Sequence, residues 1–376
     1  MSATPKKILF LHGSNDLYGA SRVLIQLLAL LGAEGHELHL VLPYRGPLDK
    51  ALSGQQVRIS YYNLGVLRRK YLSLVGLLNR SCKIFKAVNF LTRYLRSQQI
   101  DLVYSNTTVV LSGGIAARLR GLPSIYHCHE LPASKGLYAS LMGRLIQRLA
   151  TRVIVVSEAV RTHWSQWVDP EKLCRVYNAV SLPNQLPSAD KTSPYQLTAI
   201  GRISPLKGHQ YLVEMAAILM RQRADLQLVI VGDVFKGYES YEESLKEQVR
   251  SLGLEDRIHL LGFRADMAAV FASTDLLIHP SILPDSLPTV LLEAMSHGIP
   301  VVATQLGGNI ELLDRGKNGL LIPVEDAETA AAQVLAYIED QALQQAHIAR
   351  SHQRLATIFN PERFEEAIRA VVNPYL

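Results

Sequence analysis

Short apolar runs alternate with amphipathic patterns along most of this 376-residue chain. The apolar runs suit strands that are buried on both faces, and the stretches between them repeat their apolar residues at helical spacing. Alternation of this kind predicts a parallel sheet with helices on both of its faces. The strands predicted in the first half are residues 7–11, 37–42, 57–61, 102–104, 124–129, 153–156 and 173–177.

The same alternation starts again at Tyr195. The second series comprises strands 196–200, 226–231, 257–261, 275–278 and 300–303, with helices at 209–221, 241–252, 265–272 and 289–298. The two series are separated by residues 179–194, which are rich in Pro, Ser and Asn and read as a linker. We therefore predict an α/β fold with a first domain at 1–183 and a second at 195–359. Both are Rossmann-like, doubly wound parallel-sheet domains that face each other across a cleft, and a helix within 361–376 packs back on the first.

The composition is that of a soluble globular protein, with 48% hydrophobic and 19% charged residues. No apolar run is long enough for a membrane span, and the short apolar run 8–11 lacks the features of a signal peptide. We therefore expect the chain to stay in the cytosol. The three cysteines, Cys82, Cys128 and Cys174, are odd in number and widely spaced, which favours reduced thiols over disulfides or a zinc cluster.

The net charge of +6 conceals an asymmetry between the two halves. Residues 1–184 hold 23 Lys and Arg against 9 Asp and Glu, whereas the remainder holds 16 against 24. A basic first half and an acidic second half predict that an anionic surface or acceptor meets the first half.

Residues 66–99 concentrate this positive charge and contain no acid. Aromatic and aliphatic residues are interleaved with the basic ones, which is typical of a helix that docks on an anionic bilayer surface. A core helix with a solvated basic side is the main alternative, and nucleic acid binding is weaker because no such motif accompanies the patch. The candidate membrane-binding residues are Arg68, Arg69, Lys70, Arg80, Lys83 and Lys86.

Residues 279–304 hold two carboxylates eight positions apart, Asp285 and Glu293, on either side of a loop-to-helix turn. Such a turn at the carboxyl end of a strand presents backbone N–H groups to a phosphate or sugar nucleotide. Arg202 and Lys207 follow another strand of the same predicted sheet and could neutralise a diphosphate without a metal. A single Lys or Arg in a loop is more often a solvated surface residue. A single turn of this kind is more often an ordinary connection between two parallel strands. The turn residues expected to bind substrate are Ser286, Leu287, Pro288 and Thr289.

A set of motifs in the second half resembles family 4 of the retaining glycosyltransferases, which have the GT-B fold. The motifs, in chain order, are Gly201-Arg202-Ile203, Ser204-Pro205-Leu206-Lys207-Gly208, Val231-Gly232-Asp233, Leu261-Gly262-Phe263, His279-Pro280-Ser281, Glu293-Ala294-Met295, Gly298-Ile299-Pro300-Val301-Val302-Ala303, Gly307-Gly308 and Asn318-Gly319-Leu320. The first half is similar more loosely, through Gly19-Ala20, 127–130, Val155-Val156-Ser157 and 177–180. The resemblance implies transfer of a sugar from a nucleotide sugar in the interdomain cleft, with retention at the anomeric carbon.

The resemblance also implies roles for single residues. Arg202 and Lys207 match the diphosphate-binding pair of the family, and Glu293 matches the glutamate that holds the ribose. Asp285 stands beside the transferred sugar in the place of a family glutamate and is one methylene shorter. Phe263 and Arg264 match the segment of the family that contacts the base, and Gly19 matches its amino-terminal glycine loop. His129 corresponds to a residue that the family places near the reacting sugar.

Two points stay open at this level. His127 lies on the same face of its predicted strand as His129, so either histidine could reach the sugar, and both could equally be core residues. No D-x-D sequence occurs, so we expect no metal and no cofactor. The leading hypothesis is a metal-independent hexosyltransferase that acts on a lipid-linked saccharide at the cytosolic face of an anionic membrane, in surface polysaccharide synthesis. A soluble transferase with a small acceptor, and a nucleotide-sugar-binding protein without turnover, are the alternatives.

Overall fold

The computed structural model describes residues 5–68, 71, 73–131, 136–183, 194–234 and 237–376. Predictions about Arg69, Lys70 and most of the linker fall outside these residues. The chain divides into two compact units, of which the first is Met1–Asn178 together with Phe364–Leu376 and the second is Ala179–Arg363.

The first unit is built on seven parallel strands. Its elements in chain order are β1 (Lys7–Leu11), α1 (Gly19–Ala33), β2 (Glu37–Leu42), α2 (Pro47–Ala51), β3 (Val57–Tyr61), α3 (Leu74–Gln98), β4 (Leu102–Ser105), α4 (Leu111–Arg120), β5 (Ser124–Cys128), α5 (Leu137–Leu149), β6 (Arg152–Val155), α6 (Glu158–Trp164) and β7 (Leu173–Arg175). The strand order is β3-β2-β1-β4-β5-β6-β7, so the direction of winding reverses between β1 and β4. The apolar residues of β1, Ile8–Leu11, are fully buried, as expected of a strand covered on both faces.

The second unit repeats this plan with six parallel strands. Its elements are β8 (Tyr195–Ile200), α7 (His209–Gln222), β9 (Leu226–Val231), α8 (Glu239–Ser251), β10 (Ile258–Leu260), α9 (Met267–Ala272), β11 (Leu276–His279), α10 (Thr289–Ser296), β12 (Val301–Thr304), α11 (Gly308–Leu312), β13 (Leu320–Ile322), α12 (Ala327–Glu339) and α13 (Gln341–Thr357). The order β10-β9-β8-β11-β12-β13 reverses between β8 and β11. Open sheets of this type bind ligands beyond the carboxyl ends of the strands at such a reversal.

The last helix, α14 (Pro361–Val372), belongs to the first unit although it follows the second in sequence. It buries Phe364, Ile368 and Val372 on one side. On its exposed side the guanidinium of Arg369 donates a hydrogen bond to Glu34, which caps the end of α1. A helix distant in sequence therefore completes the first unit.

The predicted α/β class and the two doubly wound sheets are confirmed. All twelve predicted strands occur within a residue or two of their expected ends. Most of them are buried on both faces, and such strands are nearly continuous apolar runs. The prediction omitted β13 and the short helices α2 and α11. Three-residue and five-residue elements are too short to show a period, so their local sequence carries little signal. Among the described residues, no helix is both long and apolar enough to span a membrane.

Replacing Ile368 with Ala should lower the free energy of unfolding of the first unit by about 2–5 kcal/mol, because it leaves a cavity under a fully buried side chain. Arg369→Ala is the matched control and should cost less than about 1 kcal/mol, since its ion pairs are exposed. Both tryptophans, Trp164 and Trp167, lie in the first unit, so urea unfolding followed by tryptophan fluorescence reports on that unit. Equal losses in the two variants would contradict the docking of α14 through its apolar side.

Candidate active site

The polar residues of the second unit gather at the carboxyl edge of its sheet. Gly201 and Arg202 follow β8 directly, and a 3-10 turn at Pro205–Lys207 leads into α7. The loops after neighbouring strands are joined there, because Gly201 N donates to Val231 O at 2.9 Å and Ile203 N donates to Asp233 O at 2.9 Å. The half-buried Arg202 and Lys207 therefore occupy the side of the sheet where strand order reverses.

The turn that carries Lys207 lies directly against the segment after β11. Gly208 has φ +68°, and a Cβ there would stand 2.0 Å from the carbonyl oxygen of Pro280. Ile282 N donates to Leu206 O at 3.3 Å and links the same two segments. Only glycine allows this approach, and the approach brings Lys207 to the loop that contains Asp285.

Asp285 forms an ion pair with Lys207. Its Oδ2 accepts from Lys207 Nζ and, at 3.1 Å, from His279 Nε2, while its Oδ1 accepts from the backbone N–H of Ser286 at 3.0 Å. Burial alone would raise the pKa of Asp285, but the charge of Lys207 and the hydrogen bond from His279 outweigh it and hold that pKa well below its usual range. Asp285 is therefore a carboxylate at neutral pH.

The backbone around Asp285 is fixed by a pair of glycines. Gly308 N donates to Asp285 O at 2.8 Å. A Cβ on Gly307, which has φ +50°, would lie 2.5 Å from the same oxygen, and one on Gly308 would lie 2.0 Å from Ser286 O. The motif Gly307-Gly308 therefore allows the loop between β12 and α11 to pack closely on the loop that presents Asp285.

Helix α10 begins just after this loop. Leu291, Ala294 and Met295 are buried, and Glu293 is half-buried beside them. The N-cap residue of α10 is Pro288, whose side chain makes no capping hydrogen bond. An uncapped helix start directs backbone N–H groups and the positive end of the helix dipole outwards, a favourable place for an anion. Of the four predicted turn residues, Leu287 and Pro288 are buried, whereas Ser286 and Thr289 are half-buried.

Phe263 and Arg264 follow β10 and are both exposed. The backbone N–H of Phe263 donates to Asp233 Oδ1 at 2.9 Å, which ties the loop after β10 to the loop after β9. An exposed aromatic ring at the carboxyl edge, held by its backbone, is suited to contact with a flat ring.

In the first unit, His129 comes one residue after β5 and is half-buried, whereas His127 is completely buried. The two rings lie on one face, with centroids 4.0 Å apart. His127 Nδ1 is bonded to Tyr104 Oη at 2.9 Å, and burial lowers the pKa of His127 to about 3. His129 is thus the histidine of this pair that reaches the edge of the unit, and burial also lowers its pKa well below the usual value.

A hydrogen-bonded chain fixes the orientation of His129, and the sequence did not reveal it. Asn106 Nδ2 donates to the carbonyl oxygen of Ala20 at 2.9 Å, which orients the amide so that Asn106 Oδ1 accepts from His129 Nε2 at 2.9 Å. The same amide nitrogen donates to His12 Nδ1 at 3.2 Å, and His12 Nε2 reaches Ser21 Oγ at 3.0 Å. His129 is therefore the Nε2–H tautomer, with its Nδ1 lone pair available as an acceptor.

His12 follows β1 and Asn106 follows β4, the two strands between which the order of the first sheet reverses. Neither residue belongs to a recognisable motif. A buried polar residue directly after each of the two strands at the reversal is the signal that could have identified them. The predicted Gly19 is the first residue of α1 and stands next to Ala20, whose carbonyl oxygen accepts the hydrogen bond that orients Asn106.

The candidate membrane-binding residues are distributed unevenly around α3. Lys86 is exposed, Lys83 and Arg68 are half-buried, and the guanidinium of Arg80 lies 3.9 Å from the ring centroid of Tyr71 rather than reaching into solvent. The carboxyl-terminal half of α3 is a core helix, since Ala87, Leu91 and Leu95 are buried. The amino-terminal half differs, as it exposes Val75 (78%), Leu78 (67%) and Phe85 (74%).

The fold places the chain among the GT-B glycosyltransferases. A crystal structure of Anabaena Alr3699/HepE in complex with UDP-glucose has a TM-score of 0.83 and 26% identity to this chain, covering 98% of this chain and 99% of that one. Residues 18–183 match the family model described as Glycosyltransferase Family 4, and residues 185–354 match the one described as Glycosyl transferases group 1. The chain belongs to glycosyltransferase family 4.

Two relatives align over most of their length. The UDP-Gal:alpha-D-GlcNAc-diphosphoundecaprenol alpha-1,3-galactosyltransferase of Escherichia coli is 25% identical, over 91% of each chain. The GDP-mannose-dependent alpha-mannosyltransferase of Corynebacterium glutamicum is 24% identical, over 87% of this chain and 78% of its own.

Gly208→Ala should weaken binding of UDP at least roughly tenfold, because the added Cβ collides with a backbone oxygen and moves the turn that carries Lys207. Gly54→Ala is the matched control, since a Cβ at Gly54 meets nothing within 4 Å. Isothermal titration calorimetry with UDP measures both variants. An unchanged affinity in Gly208→Ala would show that the position of this turn is unimportant for the nucleotide.

Proposed function

We propose that this glycosyltransferase moves a hexose from a nucleotide-diphosphate sugar to a lipid-linked saccharide, with retention at the anomeric carbon and without a metal, in bacterial surface polysaccharide synthesis. The observation that carries the proposal is the placement of two cations, Arg202 and Lys207, and an uncapped helix start at one edge of the second sheet. A small soluble acceptor is the alternative.

The donor is supported by both the relatives and the site. The relatives use UDP-galactose and GDP-mannose by name, and the similar crystal structure holds UDP-glucose. Both relatives are alpha-transferases, and a sugar that is alpha-linked to its diphosphate keeps its configuration when it forms an alpha linkage. The exposed Phe263 and Arg264 suit the base, and Glu293 on α10 suits the ribose hydroxyls.

In this mechanism, negative charge develops on the diphosphate as its bond to the sugar breaks. Arg202, Lys207 and the N–H groups at the start of α10 are in place before the reaction and stabilise that charge, which is the usual source of a large rate effect. Two fixed positive charges supply the neutralisation that a divalent metal would otherwise give. His129, in the first unit, is neutral, and its Nδ1 can accept a hydrogen bond.

A lipid-linked acceptor is supported by the amino-terminal half of α3. A helix of 25 residues is roughly 37 Å long, about twice the length of a five-residue strand. The residues buried against the sheet lie in its carboxyl-terminal half, so its exposed first turns are the part that extends beyond the strands, on their carboxyl side. The start of α5 lies at that same edge, because Tyr138 Oη donates to Leu67 O at 2.8 Å just ahead of α3. Leu137, exposed by 92%, is a further apolar side chain at this edge of the first unit.

This apolar surface is flanked by Lys83 and Lys86, and the described part of α3 contains no acidic residue. Exposed aliphatic and aromatic side chains next to basic ones bind the interface of an anionic bilayer, with the apolar groups inserted and the cations at the headgroups. We therefore place the enzyme on the inner leaflet of the plasma membrane, where a lipid-linked acceptor is within reach.

Arg202→Ala and Lys207→Ala should each lower the rate of hexose transfer by roughly two orders of magnitude, the scale of removing one charge-stabilising group. Transfer by the wild type should persist in excess EDTA. Mass spectrometry of products formed from UDP- and GDP-hexoses on a diphosphate-lipid saccharide measures both effects. Abolition by EDTA with recovery on adding Mg²⁺ would contradict the metal-independent mechanism, and losses below about threefold would contradict the role of the pair.

The triple variant Val75→Gln, Leu78→Gln, Phe85→Gln should bind vesicles of phosphatidylglycerol and phosphatidylethanolamine at least roughly a hundredfold more weakly, because it removes three inserted apolar side chains that each contribute up to about 1.5–3 kcal/mol when fully buried. Leu119→Gln is the control, since Leu119 is similarly exposed but ends α4 at the opposite edge. Cosedimentation measures binding. Equal retention of the triple variant and the control would favour the soluble acceptor.

A further inference from the structure

We propose that Asp285 is the internal counter-ion of Lys207 in the donor-free enzyme, and that the donor diphosphate displaces the carboxylate from Lys207 when it binds. The proposal rests on the donor site proposed above. In this role the carboxylate of Asp285 competes with the diphosphate for Lys207. The family resemblance implies a different role, which is a contact with the transferred sugar.

The carboxylate has enough other partners to stay in place when Lys207 leaves it. Oδ2 keeps the hydrogen bond from His279 Nε2, and Oδ1 keeps the one from Ser286 N. His279 is buried, and because a carboxylate cannot donate, its Nε2 must carry the proton of this bond. The hydrogen bond from Gly308 N holds the backbone of Asp285 itself. His279 is thus a positioning residue that keeps the carboxylate beside Lys207.

The ion pair is accessible to an incoming anion. The side chain of Lys207 is 32% exposed and that of Asp285 is 21% exposed, so neither charge is sealed from water. An ammonium group is a compact charge with three donors on a flexible stem, which allows it to exchange one anionic partner for another. A diphosphate carries more negative charge than one carboxylate and is the stronger partner. No proton has to move in the exchange.

The exchange has a consequence for the product as well as for the donor. When the nucleoside diphosphate remains after transfer, Asp285 stands ready to take Lys207 back, which lowers the affinity for the product and speeds its release. The carboxylate thereby limits product inhibition, at the cost of weaker binding of the nucleotide.

Asp285→Asn should therefore bind UDP roughly tenfold more tightly than the wild type, because the competing charge-assisted bond to Lys207 is gone. The asparagine keeps the volume and an oxygen that accepts from His279. Asp340→Asn is the matched control, because it removes the same charge from the same unit while asparagine still caps α13. Calorimetric titration of the three full-length proteins with UDP should show the increase only in Asp285→Asn.

A double-mutant cycle with Lys207→Met identifies the mechanism. Adding Asp285→Asn to Lys207→Met should leave UDP affinity unchanged, since the cation that Asp285 holds is already absent. Equal tightening with and without Lys207 would overturn the proposal, as would unchanged or weaker UDP binding by Asp285→Asn alone. A wild-type enzyme that binds neither UDP nor GDP would instead contradict the donor site and, with it, the proposed function.

Discussion

Parallel pairing of buried strands decides where this protein can place its chemistry. Strands covered on both faces, such as β1, have no side chain left for function. Functional groups must then come from the loops at the carboxyl edge, and the space for a ligand is widest where strand order reverses. Both units follow this rule. Lys207 and Asp285 come from the loops after β8 and β11, and His12 and Asn106 follow β1 and β4.

Close backbone contacts fix the positions of these loops relative to one another. Gly208 lies against the oxygen of Pro280, while Gly307 and Gly308 lie against the Asp285–Ser286 backbone. At each position a side chain would push two loops apart. The glycines therefore set the distance between the cation and the carboxylate, and the ion pair follows from the backbone rather than from the charges alone.

The sequence predicted the features that depend on local pattern. Strands and helices were recovered because their periods are visible within a few residues, and Arg202 and Lys207 could be assigned to the carboxyl edge once the strand before them was located. The pairing of Lys207 with Asp285 joins residues 78 positions apart and depends on how two loops pack. The prediction had instead directed these two side chains at different parts of the donor.

The first-unit chain from His129 through Asn106 to His12 was missed for a related reason. Its members are separate polar residues 23 and 94 positions apart, and only the sheet brings them together. The basic helix α3 was misjudged for a different reason, since one sequence pattern runs through two different environments. Its carboxyl-terminal half packs in the core around Leu91, and its amino-terminal half exposes Phe85. Composition could not separate the two halves, because both mix apolar and basic residues.

The position of α14 also has a consequence for how the chain reaches its native state. The ribosome delivers the whole second unit before α14 emerges, although α14 belongs to the first. Domains generally begin to fold as they are synthesised. The first unit must therefore wait, with the apolar site for Phe364 and Ile368 uncovered, while about half of the chain is translated. A chaperone that recognises apolar surface would find its target on the first unit during that interval.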